Sequence, residues 1–318
     1  RELSVFVEIS GRSKYVGKII GNDYRDACFR YEEEYLKNPE SCAISIGLPL
    51  REKKFEAERT RVFFEGLLPE GFTRKCVAES MHLDESDYIS ILAGLGKECL
   101  GAIKIKEDSD ADIEPRYVEL SDEEVYALAC EGASESAELV TKAHLSLTGA
   151  SGKVGLYFDK DNNKWYLPIG EAPSTHIVKQ SHVRYKRIVA NEQLCLLTAG
   201  NLGIDTSKSF IVTTYGNDEE AILLATERYD RILNEEKCIG NLNAPYRLHQ
   251  EDFAQALGIA ASDKYEKKAD EHIKLIFDLI RRYSADPLTD SMKLWDICVF
   301  NYLVGNTDNH IKNISLLY

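Results

Sequence analysis

The order of strand-like and helix-like segments after residue 144 constrains the fold more than any other feature of the sequence. Alternating residues and turn residues predict short strands within "HLSLTGASGKVGLYFD", "KWYLPIG" and "THIVKQ". A further hairpin is predicted for "SKSFIVTTYG" and "EAILLATERYD". After residue 250, helical spacing dominates "HQEDFAQALGI", "KYEKKADEHIKLIFDLIRRYS" and "SMKLWDICVFNYLVGN". This order predicts two lobes, one of strands and one of helices, rather than an alternating parallel sheet.

The segment before residue 107 predicts a separate unit of strands and helices. "LSVFVEI" and "SKYVGKII" predict a hairpin around "SGRS", and strands are also expected in "ACFRYEEEYL", "AISIGLPL" and "LGAIKIK". Pro69 and Gly71 divide "ERTRVFFEGLLPEGFTRKCVAESM" into two predicted helices, and "DESDYISILAGLG" predicts another. The fold class expected for the whole chain is therefore α+β.

A polar, acidic stretch indicates where the first unit ends. "EDSDADIEPRY", residues 107–117, reads as a link, and "SDEEVYALAC" follows as a helix with Ser121 at its N-cap. "IVANEQLCLLTAGNLGI" predicts a helix within the strand-rich lobe. The expected division is an N-terminal subdomain over 1–106, a link with a connecting helix over 107–143, a nucleotide-binding lobe over 144–230 and the start of a helical lobe over 231–318.

Charge and cysteine usage narrow the class of protein. The net charge of −14 disfavours a broad surface for nucleic-acid phosphates, so direct nucleic-acid binding is not expected. The sequence has no apolar run of membrane-spanning length and no secretory leader pattern. Eight scattered Cys without paired metal spacing indicate reduced thiols and make a zinc site improbable. A cytoplasmic protein without membrane association is expected.

The segment "SLTGASGK", residues 146–153, is a candidate phosphate-binding loop. Small residues between two strands let backbone N–H groups approach an anion closely. The segment is not a Walker A loop, because Val154 follows Lys153 where Ser or Thr is required. The alternative for this segment alone is an ordinary hairpin turn.

Lys179 and Glu192 form a candidate ion pair. Lys179 lies in the apolar strand "THIVKQ", and Glu192 lies in the first turns of the helix that follows. A strand Lys that pairs with a helix Glu holds nucleotide phosphates in kinase-like sites. The alternatives are an edge-strand Lys that points outward and a solvated helix Glu.

The segment "GNTDNHIKN", residues 305–313, has the spacing of a phosphoryl-transfer loop. Asp308 would orient the acceptor hydroxyl or accept its proton, and Asn313 would hold a Mg²⁺ ion that bridges phosphates. His310 would fix the loop or lie beside the phosphates. The alternative is a polar helix C-cap and turn, in which Asn and Asp are common.

Taken together and in order, these motifs resemble the HipA family of bacterial toxin serine/threonine kinases. "FFEGLLPEG" and "GKECLGAIKI" resemble the N-terminal subdomain of that family. The segments that resemble its kinase core are "SLTGASGK", "APSTHIVK", "NEQLCLLTAGNLGI", "ERYDR", "HQEDFAQALG" with "KYE", and "FNYLVGNTDNHIKN". The resemblance covers nearly the whole chain and implies a two-lobed protein-kinase-like fold.

The resemblance also implies roles for individual residues. Asp308 would be the catalytic residue, and Ser146 stands at the position of the autophosphorylated serine of the family. Asn313 would bind the metal. The implied nucleotide-binding residues are Thr148, Gly149, Ala150, Ser151, Gly152, Lys153, Lys179, Glu192, Glu227, Arg228, Tyr229, His310, Lys312 and Asn313, of which 227–229 would form the hinge that binds adenine through its backbone.

The family resemblance implies cofactors and partners as well. The cofactors would be ATP and Mg²⁺. The partners would be a small DNA-binding antitoxin of HipB type and a protein substrate, typically an aminoacyl-tRNA synthetase, whose phosphorylation halts growth.

The sequence departs from the family in two places. Ser151 and Gly152 replace the Gln and Glu of many relatives, and the printed sequence ends before the second metal-binding Asp and the rest of the helical lobe. A fragment is therefore expected, and the chain taken alone should be a poor kinase. Two alternatives stay open: a pseudokinase that binds nucleotide or a partner, and a kinase of a small molecule or lipid.

Overall fold

The computed structural model describes residues 1–107, 113–130, 153–181, 187–214, 221–265 and 271–318. The first unit contains an antiparallel sheet in the order β3-β2-β1-β4. Its strands are β1 (Glu2–Ile9), β2 (Arg12–Ile20), β3 (Cys28–Tyr31) and β4 (Ile103–Glu107). Its helices are α1 (Glu33–Lys37), α2 (Ala57–Glu65), α3 (Gly71–Ser80) and α4 (Tyr88–Leu95).

Several predictions for this unit are confirmed. The β1–β2 hairpin turns through Ser10 and Gly11, whose φ angles of 48° and 75° suit the two-residue loops that match the twist of paired strands. The helical segment is interrupted between α2 and α3, on either side of Pro69, as expected from a residue that lacks a backbone N–H.

One strand prediction for this unit is wrong, and another is confirmed only in part. "AISIGLPL" forms only an isolated bridge between Ser45 and Leu48, because Ile46 N–H and the Ser45 hydroxyl donate to the carboxylate of Glu251 instead of to a neighbouring strand. "ACFRYEEEYL" is a strand only as far as Tyr31. The acidic residues that follow open the short helix α1, where negative charge at the N-terminus is favourable.

A second antiparallel sheet joins six described strands in the order β5-β7-β6-β8-β10-β9. These strands are β5 (Arg116–Glu119), β6 (Lys153–Asp159), β7 (Lys164–Ile169), β8 (His176–Gln180), β9 (Ser209–Thr213) and β10 (Ile222–Glu227). The helices that accompany the sheet are α5 (Asp122–Cys130) and α6 (Ile188–Asn201). Ser121 caps α5 as predicted, since its hydroxyl accepts from Glu124 N–H at 3.2 Å.

One hydrophobic core joins the two sheets. Leu3, Val5 and Ile105 of the first sheet belong to the same buried cluster as Val154 and Val178 of the second. Shared burial of this kind resists relative movement of the two units, because separating them would expose apolar surface.

The remaining described residues form two small strand pairs and a helical part. The strands are β11 (Arg231–Ile239), β12 (Leu242–Arg247), β13 (Gln250–Asp252) and β14 (Ser315–Leu317), which pair as β11–β12 and β13–β14. The helices are α7 (Phe253–Leu257), α8 (Glu271–Tyr283) and α9 (Pro287–Leu303), with 3-10 turns at Ala261–Asp263 and Ile311–Asn313. A second core packs Phe253, Leu279, Leu294 and Ile311 together. The α+β class and the order of strands before helices are confirmed.

The β11–β12 hairpin was not predicted from the sequence. It turns through Gly240 and Asn241, a dipeptide that favours two-residue hairpin loops, and Gly240 has a φ of 61°. The flanking segments contain charged residues and do not alternate clearly between apolar and polar residues. The Gly-Asn dipeptide was therefore the sequence signal from which the hairpin could have been predicted.

Candidate active site

Lys179 and Glu192 lie in contact. Lys179 Nζ is 2.6 Å from Glu192 Oε1, and both side chains are partly exposed. Because β8 is hydrogen-bonded to β6 on one side and to β10 on the other, Lys179 does not lie on an edge strand. Glu192 lies in the second turn of α6, the helix next in sequence to β8. The ion pair therefore joins the middle of the sheet to a helix.

Lys153 lies directly opposite Lys179 in the antiparallel register of β6 and β8. Side chains at opposed positions project to the same face of a sheet and lie close together. Burial and the neighbouring Lys179 ammonium together lower the pKa of Lys153 to about 8. The Lys179 and Lys312 ammonium groups and the Glu192 and Glu70 carboxylates all act on Lys153, so three lysines meet two carboxylates here. The local excess of positive charge suits an anion such as phosphate, although the whole chain is acidic.

The loop after α9 presents the carboxylate of Asp308 to solvent. The side chain of Asp308 is 72% exposed and accepts a hydrogen bond of 2.8 Å from the Tyr265 hydroxyl. His310 is buried, and its Nε2 lies 3.6 Å from Oδ1 of Asp308. Burial lowers the pKa of His310, and the nearby Lys264 ammonium acts in the same direction.

Asn313 closes this loop through its side chain. Its Nδ2 donates to the carbonyl of Asp308, and its backbone N–H donates to the carbonyl of His310 at 2.9 Å. Nδ2 donates to the Asp308 carbonyl, so the side-chain oxygen Oδ1 is the atom of Asn313 that can bind a cation. The hydrogen bonds from Asn313 hold Asp308 and His310 in one tight turn.

A buried group of charges lies beneath the loop. Lys312 Nζ is 2.7 Å from Asp252 Oδ2 and 3.5 Å from Glu70 Oε1, and Glu70 Oε2 is 2.8 Å from Lys264 Nζ. Burial raises the pKa of Asp252 despite the neighbouring Lys312 ammonium. The pKa of Glu70 is lowered, because Lys312 and Lys264 together outweigh the effect of its burial.

Comparisons with known proteins place this arrangement in a family. A model of the HipA-like C-terminal domain matches residues 145–318, and a model of the HipA N-terminal domain matches residues 7–106. The chain belongs to the HipA family. Its HipA-like domains therefore contain the Lys179–Glu192 pair and the Asp308 loop in one matched region.

Several known proteins are similar to this HipA-family chain. It is 32% identical to "Putative kinase Y4mE" of Sinorhizobium fredii, over 96% of this chain and 71% of that protein. It is 27% identical to "Serine/threonine-protein kinase toxin HipA" of Shewanella oneidensis, over 80% of this chain and 58% of that protein. The fold matches the HipA chain in the Shewanella oneidensis complex of HipA, HipB and operator DNA with a TM-score of 0.76, at 21% identity over 99% of this chain and 72% of that chain.

The hinge predicted for this HipA-family chain begins at Glu227, the last residue of β10. Glu227 N–H donates to the Lys208 carbonyl at 2.8 Å, and Arg228 N–H donates to the Thr175 carbonyl at 2.9 Å. Both groups are therefore engaged, so a backbone contact with an adenine is restricted to Tyr229 N–H or to the hinge carbonyls. A cavity of about 650 Å³ adjoins all three hinge residues.

The side chain of Arg228 lies in a buried network of charges. It bonds to Asp230 at 2.7 Å and lies 3.4 Å from Glu98, which also bonds to Arg231 at 2.7 Å and to Arg247 Nε at 2.8 Å. All five side chains are 0–2% exposed. Glu98 belongs to the N-terminal unit, so the network fixes the hinge to that unit. Buried charges persist when they are paired and hydrogen-bonded in this way.

The structure brings Lys153, Lys179 and Glu192 together on the sheet, and Asp308, His310, Lys312 and Asn313 together in the loop. Thr148, Gly149, Ala150, Ser151, Gly152 and the candidate modification site Ser146 lie outside the described residues.

Four residues around the Asp308 loop were not predicted from the sequence. Glu70, Asp252 and Tyr265 contact the loop or the lysine within it, and Lys264 pairs with Glu70. They occur in the segments "LLPEG", "HQED" and "KYE", which carry the family resemblance but suggest no role by themselves. A cavity of about 730 Å³ adjoins Tyr265 and Lys312 and extends between α2 and α8.

Two features are absent from the described part of the chain, a membrane-spanning helix and a cluster of metal-binding side chains. Among those residues, no helix is long and apolar enough to cross a membrane. Within the same ranges, no group of three or more His, Cys, Asp or Glu side chains is placed to hold a metal ion.

Proposed function

We propose that this chain is the ATP-dependent catalytic part of a serine/threonine-protein kinase of HipA toxin type. The observation that carries the proposal is the 2.6 Å ion pair between Lys179 and Glu192. A strand lysine paired with a glutamate of the next helix is the arrangement that positions nucleotide phosphates in protein kinases. The kinase names of the relatives support the same reaction class.

The residues present fit a nucleotide with a bound Mg²⁺ ion. Lys153 and Lys179 would bind phosphate oxygens, and residues 227–229 would bind the adenine through backbone groups. Asn313 Oδ1 and phosphate oxygens would hold the metal. His310 and Lys312 would lie beside the phosphates. When bound, Mg²⁺–ATP supplies the γ-phosphoryl group and the charge neutralisation that the transfer requires.

Asp308 would act on the acceptor hydroxyl. Its exposed carboxylate would accept a hydrogen bond from a serine or threonine hydroxyl and orient the oxygen toward the γ-phosphorus. The new bond joins that oxygen to phosphorus, the bond from phosphorus to the leaving ADP oxygen breaks, and the hydroxyl proton passes to Asp308.

The proposal includes partners and self-modification. The solved relative is a complex with HipB and operator DNA, which supports a HipB-like antitoxin as partner. The protein substrate would be a translation-related protein such as an aminoacyl-tRNA synthetase, and its phosphorylation would arrest growth. Autophosphorylation at Ser146 would add about two negative charges beside the phosphate loop, displace it and inactivate the enzyme. Cytoplasmic localisation follows from these partners.

The test is the intact mass of the full-length protein after incubation with Mg²⁺–ATP. The Asp308→Ala variant removes the proposed catalytic carboxylate, and Asp296→Ala serves as the matched control because Asp296 is exposed on α9. The expected result is one added phosphate in the wild type and in the control, mapped to Ser146, and none in Asp308→Ala.

Other outcomes decide between the alternatives. Nucleotide binding without any added phosphate would favour a pseudokinase or a kinase of a small molecule or lipid. An absence of ATP binding, measured by titration calorimetry, would overturn the nucleotide site itself.

A further inference from the structure

Glu70 lies in the N-terminal unit but directs its carboxylate into the Asp308 site. It occupies the N-cap position of α3, where a carboxylate ordinarily accepts a hydrogen bond from the first turn of its own helix. Glu70 makes no such bond. Its two oxygens instead contact Lys264 at 2.8 Å and Lys312 at 3.5 Å.

These two lysines belong to two different segments that hold Asp308. Lys312 is in the loop that carries Asp308, and its side chain is 4% exposed. Lys264 precedes Tyr265, whose hydroxyl donates to Asp308 at 2.8 Å. One carboxylate is therefore bonded both to the Asp308 loop and to the segment that supplies the hydrogen bond to Asp308.

The contacts of Glu70 are well shielded from solvent. The side chains of Glu70 and Lys264 are 15% and 16% exposed, so water screens their interaction only weakly. Asp252 supplies a second carboxylate to Lys312 at 2.7 Å, which leaves Glu70 as the group that links Lys312 to Lys264.

We propose that Glu70 is a positioning residue through which the N-terminal unit sets the geometry of Asp308. The proposal rests on the proposed kinase function for its catalytic consequence, but its structural consequence is independent of catalysis. Without the carboxylate, the Lys264–Tyr265 segment and the Asp308 loop lose their common partner. The orientation of Asp308 relative to an acceptor then becomes less defined, and phosphoryl transfer is sensitive to such misplacement.

The test compares Glu70→Gln with Glu171→Gln. Glu171 is a suitable control because its carboxylate also contacts two lysines, Lys104 at 2.8 Å and Lys106, which both lie on β4 and not in the Asp308 loop. Both substitutions keep the side-chain shape and remove the charge. The urea midpoint of each variant measures its loss of global stability, so that the two losses can be compared.

Two readouts separate positioning from stability. The first is amide hydrogen exchange across residues 304–314, which is expected to become about 10-fold faster in Glu70→Gln and to stay unchanged in Glu171→Gln. The second is steady-state phosphotransfer, in which Glu70→Gln is expected to lower kcat by about 10-fold and to change the KM for ATP less, since the Lys179–Glu192 pair is untouched.

The outcomes are distinguishable from failure of the kinase proposal. If the wild-type protein transfers no phosphate but Glu70→Gln accelerates exchange in the loop, the positioning role stands and the proposed activity fails. If the exchange of the loop changes no more in Glu70→Gln than in Glu171→Gln, the positioning role is overturned, whatever the activity.

Discussion

The hydroxyl of Tyr265 donates a 2.8 Å hydrogen bond to Oδ1 of Asp308, and the tyrosine ring contacts the ring of His310 edge-on at 5.1 Å between centroids. The exposed carboxylate of Asp308 is thereby held from one side, while Asn313 holds its backbone carbonyl from the other. The Asp308 side chain is accessible to an acceptor, yet its orientation is restricted.

Tyr265→Phe is expected to lower kcat for phosphotransfer roughly 3- to 10-fold, the effect of losing about one ordinary hydrogen bond at a carboxylate that water also solvates. The phenyl ring retains the contact with His310, so the KM for ATP should be unchanged. Steady-state kinetics of the purified variant measures both. An unchanged or higher kcat would show that the hydroxyl obstructs the acceptor position instead of orienting Asp308.

Lys179→Met is expected to weaken ATP binding roughly 10- to 100-fold, because one charge-assisted contact to phosphate is lost. Glu192→Gln should have a smaller effect, since it leaves the ammonium in place but less well oriented. Lys164→Met is the matched control, because Lys164 pairs with Glu119 at 2.8 Å on the exposed part of the same sheet. Titration calorimetry gives the affinities, and equal losses in Lys164→Met and Lys179→Met would contradict the assignment.

Lys153→Met is expected to stabilise the nucleotide-free protein while weakening ATP binding. Burial and Lys179 lower the pKa of Lys153 to about 8 from its ordinary 10.5, so the charged form is disfavoured in the folded state. This cost is fully present below pH 8 and disappears as the pH rises from 8 toward 10.5. The gain in unfolding free energy at pH 7 should be about 1–3 kcal/mol.

Urea denaturation of the wild type and Lys153→Met between pH 7 and pH 10 tests this prediction. The stability difference between the two proteins should shrink as the pH rises above 8. A difference that stays constant over this range would show that the folded protein holds Lys153 without an electrostatic cost.

Sequence patterns predicted most of the sheet that carries the lysines, since alternation and turn residues are local properties of "KVGLYF", "KWYLPI" and "HIVKQ". They also predicted the contact between Lys179 and Glu192, and they singled out Asp308 for the catalytic role proposed above, because the residue type and order of these positions are distinctive. The partial failures come from tertiary contacts. The segment "AISIGLPL" has strand composition, but Glu251, about 200 residues later, accepts its backbone and hydroxyl donors.

The same limit explains the missed site residues. Glu70 and Asp252 are separated from Lys312 by 242 and 60 positions in the sequence, and no local pattern shows that one lysine joins them. Glu98 and Arg228 are likewise ordinary charged residues in the sequence. Only the folded chain shows that both are fully buried and in contact.

Glu98→Gln is expected to destabilise the protein by about 3–5 kcal/mol, because it leaves buried guanidinium groups without their common carboxylate. Glu98 lies within 3.4 Å of Arg228, Arg231 and Arg247, and its side chain is fully buried. Burial alone would raise the pKa of Glu98, but the three arginines outweigh that effect and lower it to about 2.

The lowered pKa of Glu98 determines how the stability of the protein changes with pH. The stabilisation from Glu98 is present above its ordinary pKa of 4.5 and is lost as the pH falls toward 2, where the folded state must also take up protons. Glu171, whose pKa also lies near 2, acts in the same direction. Thermal denaturation of the wild type and Glu98→Gln from pH 7 to pH 2.5 should therefore show a shallower decline in the variant. Because Arg228 lies within the hinge and Arg231 two residues after it, the variant should also bind ATP more weakly at pH 7. Parallel declines with pH would show that other carboxylates, rather than Glu98, govern acid unfolding.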